Sequence, residues 1–151
     1  MNSGDRLLLL FLTATGIAGL GIALYLTVVH YSTLPLACSS SGIVDCERVL
    51  SSPYGMIGAT SVPTSVAGIV WFVVSIGITA AGFRSNALAW RLLHLIWAGF
   101  GLATVLYLVY VEIDRLGAIC AWCTVVHLLV LATLLAALYR WQLRPRERSR
   151  Q

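Results

Sequence analysis

The sequence predicts an all-α membrane protein: a bundle of four transmembrane helices whose long first extracytoplasmic loop caps the outer face. Three observations predict it. Of 151 residues, 59% are hydrophobic and only 11% charged, whereas soluble domains carry about 25% charged residues. Mean hydropathy is +0.88, and several apolar runs exceed the length that marks a spanning helix. The arginines are distributed unequally about those runs. A soluble core is excluded, and the net charge of +4 is read through membrane topology, not as a sign of nucleic-acid binding.

The spans are expected at about 7–30, 63–83, 88–111 and 117–139, within one domain covering 1–151. Each covers at least about 30 Å at 1.5 Å per residue. A helix satisfies its own backbone where no water can. The first run follows Arg6 as a signal peptide would, but far exceeds a signal's short apolar region, so it reads as an uncleaved helix. Its Gly16, Gly19 and Gly21 are small residues that let helices approach, not a dinucleotide fingerprint. Between spans, Phe83 to Leu88 reads as a tight hairpin and Glu112 to Leu116 as a short outer turn. The 31–62 loop is much longer, as functional loops often are. Within it Asp45 is a candidate N-cap for a short helix Cys46–Leu50, and Pro63 suits the first turn of the second span. Residues 140–151 read as a basic cytoplasmic tail, of which Arg144–Gln151 is a solvated arm near anionic lipid, with binding of a partner as the lesser alternative.

The chain has ten arginines and no lysines. Arg6, Arg84, Arg91, Arg140, Arg144, Arg146, Arg148 and Arg150 flank the termini or the second connection; Arg48 and Arg115 lie on the other side. The positive-inside rule puts both termini in the cytoplasm and the long loop outside, where disulfides persist.

Four cysteines carry the chemistry. Cys38 and Cys46 lie in the long loop, and Cys120 and Cys123 form C-A-W-C at the head of the last span. Residues three apart share a helix face and come within disulfide reach. A helix N-terminus stabilises thiolate, the species that attacks disulfides. Two pairs at one membrane face suggest a relay from soluble thiols into the lipid. A pair of structural disulfides is the alternative; a four-cysteine zinc site is disfavoured because zinc knuckles use close pairs in both halves.

C-x₇-C running into E-R-V-L-S-S, then C-x-x-C on a fourth helix, resembles the vitamin K epoxide reductase family over nearly the whole chain, as a bacterial single-domain homologue. Disulfide-bond protein B carries its pairs in the opposite order and is a functional analogue. The resemblance implies that Cys38 exchanges with a separate thioredoxin-fold, DsbA-like partner, that Cys46 shuttles to Cys120, and that Cys123 passes electrons to a membrane quinone (menaquinone or ubiquinone), with no metal. It implies the bacterial inner membrane, with the cysteines at the extracytoplasmic face. Ser52 matches the family's loop serine. His127 stands where the animal enzymes have a tyrosine and Thr64 near their asparagine, which puts epoxide as substrate in question and leaves quinone chemistry intact. No thioredoxin-like domain follows the tail, so the partner is expected to be a separate protein.

From the residues alone, His127 lies one turn beyond Cys123 on the same face, placed either to serve a quinone oxygen or to make an interhelical hydrogen bond. Trp122 either borders that site, shields the disulfide or belongs to an aromatic belt. His30 and His94 read as interface markers. Three functions stay open: a thiol:quinone oxidoreductase, a quinone or vitamin K epoxide reductase using the same cysteines, and a non-catalytic membrane scaffold stapled by two disulfides.

Overall fold

The computed structural model describes residues 3–32, 36–38, 42–58, 60–85 and 87–142. Four helices are long and apolar enough to cross a membrane. They are α1 (Ser3–Tyr31), α3 (Thr64–Arg84), α4 (Leu88–Tyr110) and α5 (Ala121–Gln142), with the five-residue α2 (Cys46–Leu50) in the first loop. In the bundle α1 packs on α3 and α5, and α4 closes the ring against both. Exposed faces stay apolar, as at Ile17, Ile96, Phe100 and Leu128. Such a surface suits lipid.

Close approach depends on small residues. A Cβ at Gly19 would overlap the Phe72 ring, so α1 and α3 meet at that glycine. Nearby, Ala23, Trp71, Phe72 and Val130 form a buried cluster. Trp71 and Trp97 each donate an indole N–H to the other's carbonyl, at 3.3 and 3.1 Å, and clasp α3 to α4.

The sequence expectations differ from the structure at the helix ends. The segment Glu112 to Leu116 is not a turn: α4 continues through wider π-helical turns over Val111–Leu116. The reversal comes at Gly117, with φ 59°, a left-handed conformation that glycine adopts without strain. The last span accordingly starts at Ala121, not 117, leaving Cys120 just ahead of it.

At the other end, α5 runs through Gln142, so Arg140, expected to open the basic tail, belongs to the helix; the arm expected at Arg144–Gln151 lies outside the described residues. Arg140 and Arg91 are buried against Asp5. Asp5 Oδ1 accepts from Arg140 Nε at 2.8 Å and lies 3.6 Å from Arg91 Nη2, while Arg91 Nη1 donates to the Arg140 carbonyl at 2.9 Å. His94, expected at an interface, is 1% exposed and sits beside Arg140. Both guanidiniums are thus drawn inside the bundle by one carboxylate and away from solvent.

Candidate functional site

The first loop is pinned over one end of the bundle by a few backbone bonds. Asp45 N donates to the Ile119 carbonyl at 3.0 Å, and Ile119 N to the Ile43 carbonyl at 2.8 Å. This pairs the strand-like stretch before α2 with the stretch before α5. Asp45 also caps α2, its carboxylate accepting from Arg48 N at 3.0 Å. Cys46 thus opens one helix and Cys120 immediately precedes another, side by side. The two are 2% and 0% exposed and share a cluster with Val49 and Ala118.

Cys38 and Cys46 form a disulfide with Cα atoms 6.2 Å apart. Cys38 is half-buried, on the approach to the pair. Its neighbour Ala37 is gripped from both sides. The Tyr25 hydroxyl accepts from Ala37 N at 2.9 Å, and Trp122 Nε1 donates to the Ala37 carbonyl at 2.9 Å, with the two rings 5.2 Å apart. Trp122 therefore holds the segment carrying Cys38 and is not on the cavity wall.

Cys120 and Cys123 are free thiols. Cys123 N–H donates to Cys120 Sγ at 3.2 Å. The Cys120 thiol is held below the usual thiol value, chiefly by the hydrogen bond from the Cys123 side chain, with help from the Cys123 and Trp122 backbone; burial and Glu112 oppose the shift. Cys120 is thus a thiol that gives up its proton more readily than an ordinary cysteine.

Beneath this roof is a cavity of about 240 Å³. Its body is apolar, with Trp71, Phe72 and Val130 on the wall, and Cys123, His127, Ser52, Thr64 and Glu112 are the polar groups used below. Ser52 is buried; its hydroxyl donates to the Val49 carbonyl at 2.7 Å and accepts from Gly55 N at 3.1 Å. That holds the end of α2 over the cavity. The Thr64 hydroxyl donates to the Tyr54 carbonyl at 3.4 Å, joining α3 to the same roof. His30, too, lines the space.

The residues named from sequence therefore divide. Cys38, Cys46, Cys120 and Cys123 gather in one cluster, against which Trp122 also packs, and Ser52, Thr64 and His127 line the cavity together with Cys123. Sequence reasoning missed Glu112, which is 5% exposed and on the cavity wall. A carboxylate placed where a long apolar run ends, eight positions before the first cysteine of C-x-x-C, was the signal.

The profile of the vitamin K epoxide reductase family matches residues 10–138. The chain belongs to that family. No curated protein matches it. Family membership makes the chain an integral membrane oxidoreductase of the quinone-linked thiol kind, and members generally work with a quinone and a thioredoxin-like partner.

Proposed function

We propose that this family member reoxidises a thioredoxin-fold, DsbA-like partner through a disulfide relay and reduces a membrane quinone. The observation that carries the reading is the order of sulfurs from surface to cavity. Half-buried Cys38 is bonded to Cys46; Cys46 packs with Cys120; Cys120 is hydrogen-bonded to Cys123; and Cys123 lies on the cavity wall.

The chemistry balances along this path. A partner thiolate attacks Cys38 Sγ and Cys46 leaves as thiolate; the partner's second thiol then releases Cys38, and the partner is oxidised. Cys46 attacks Cys120 of the inner disulfide and Cys123 leaves. Cys38 then attacks Cys46, restoring the outer disulfide and leaving Cys120 and Cys123 reduced. A joined outer pair above two inner thiols, the arrangement described above, corresponds to this stage. A quinone in the cavity is the acceptor of the two electrons and two protons that leave as Cys120 and Cys123 rejoin. His127 and Thr64 offer polar groups to its head, and Trp71, Phe72 and Val130 an apolar wall.

The orientation proposed is both termini cytoplasmic and the cysteine end extracytoplasmic, in a bacterial inner membrane. With Arg91 and Arg140 spent on Asp5, the arginines left to flank the terminal side are Arg6, Arg84, Arg144, Arg146, Arg148 and Arg150. They still outnumber Arg48 and Arg115.

The test is quinone reduction by purified protein, followed by ultraviolet absorbance, with a reduced thioredoxin-fold donor. Wild type is expected to turn over and Cys123→Ser to be inactive. In a Cys38→Ala, Cys123→Ala background a Cys46–Cys120 cross-link is expected. No turnover with several quinones and donors in a folded sample, together with no cross-link, would leave a disulfide-stapled scaffold.

A further inference from the structure

Glu112 is a buried carboxyl that the relay just described leaves unused. It projects from the π-helical end of α4, where the wider turns carry the chain past the apolar run and aim this side chain inward. It is 5% exposed and shares the cavity wall with Cys123 and His127. Its backbone carbonyl accepts from Ala118 N at 3.1 Å, which draws the stretch leading to Cys120 against this end of α4, and its carboxyl lies close enough to act electrostatically on both inner thiols. None of the ion pairs among the described residues involves it. A carboxyl buried at membrane depth is costly and is retained where it pairs or handles protons. Asp5, equally buried, is paired; Glu112 faces thiols and a cavity.

The inner half-reaction needs such a group. As the Cys120–Cys123 bond forms, two S–H bonds break; two electrons pass to the acceptor and two protons must reach its oxygens. We propose that Glu112 is a proton carrier of this step, taking the Cys120 proton onto its carboxylate and delivering it to one oxygen of the quinone. The Cys123 proton goes to the other oxygen by way of His127, and Glu112 ends as carboxylate, ready for the next cycle. The inference rests on the quinone-reducing reading above. The other titratable groups lining this space are Cys123 and His127 from α5, His30 from α1 and Tyr54 from the roof; Cys120 is buried just outside it. On Glu112's own segment, Asp114 and Arg115 pair with each other at 3.6 Å on the exposed side.

The experiment compares wild type, Glu112→Gln and Glu112→Asp as full chains in detergent, with reduced donor and a soluble quinone, across pH and in heavy water. Gln keeps the size and one oxygen of the side chain but carries no exchangeable carboxyl proton. The expected result is a fall in kcat of about 10²- to 10⁴-fold in Glu112→Gln, with KM for the quinone unchanged. The acid limb of kcat should vanish, because wild type loses the base as pH falls and the Gln variant has none to lose. The solvent isotope effect should rise, and Glu112→Asp should recover part of the rate. Glu112→Gln with wild-type rate and acid limb overturns the proposal, as does an Asp variant no better than Gln. Wild type unable to reduce any quinone overturns the reading beneath it instead, whatever the variants do.

Discussion

At the end of the bundle that holds the termini, Asp5, Arg91, Arg140 and His94 are buried together, and one carboxylate oxygen takes two guanidinium groups. At the cysteine end Glu112 is buried to the same degree, beside two thiols and a cavity. The first arrangement joins α1, α4 and α5 through two guanidiniums that share one carboxylate. Its charges are engaged in holding helices together, with no thiol or cavity beside them. The second leaves a carboxyl, a thiol and two imidazoles around open space, with a second thiol buried next to the first. The contrast teaches that buried charge in this fold has two uses, and what lies beside the charge separates them: a counter-charge for holding helices, a reactive group and a void for chemistry.

If that separation is right, substitutions at the two ends should fail in different measurements. The largest effect is expected for Cys120→Ser. It removes the sulfur that joins the loop pair to Cys123, and donor-driven quinone turnover should drop by about 10⁴-fold or more, the scale of losing an obligatory nucleophile. Its melting temperature should stay close to wild type. Asp5→Asn should do the reverse. Leaving Arg140 and Arg91 buried without their carboxylate should cost about 3–5 kcal/mol of stability, seen in denaturant titration, while the folded fraction keeps its turnover rate. An Asp5→Asn protein that is stable but inactive would break the comparison, since it would tie the terminal end to the chemistry.

How much of this was legible in the sequence follows the same divide. The spans could be read because lipid demands long apolar runs, and the cysteines because thiol exchange demands pairs at definite spacing. Asp45 as the cap of a helix beginning at Cys46 could be read because capping is a contact between near neighbours. Arg91 and Arg140 could not. Each lies beside a span end, where a solvated flank and a buried pair have the same local pattern, and the partner that decides is Asp5, 135 positions from Arg140. His94 is hidden for the same reason. Glu112 was read as part of an outer turn because the apolar run stops there, but the helix does not: π-helical turns carry it on to Leu116. Trp122 packs against the cysteine cluster, as its place between the two cysteines suggests, but its clamp on Ala37 is a contact across 85 positions that no local pattern encodes.

A smaller effect tests how rigidly the cysteine end must be held. Asp45→Ala removes the side-chain cap of α2 and should cost about 1 kcal/mol. The backbone bond from Asp45 N to Ile119 does not depend on the side chain, so Cys46 should stay near Cys120 but less firmly. Turnover with the protein donor should slow, whereas oxidation of a prereduced inner pair by quinone should not. Equal slowing of both would mean that the cap matters to the cavity and not to the passage from Cys46 to Cys120.

The smallest effect is expected at His94. Among the described residues neither ring nitrogen has a hydrogen-bond partner, and the side chain is enclosed. A buried polar group left without a partner costs about 1–3 kcal/mol, which an apolar side chain of similar size would relieve. His94→Leu should therefore leave stability unchanged or raise it by up to about 1 kcal/mol, with turnover unaffected. Measured beside Asp5→Asn in the same titration, it separates two buried groups that both neighbour Arg140: one held by its charges, one merely enclosed with them. A large loss of stability in His94→Leu would show that the imidazole belongs to the ion-paired network, and the terminal end would then be a four-residue unit rather than a triad with a bystander.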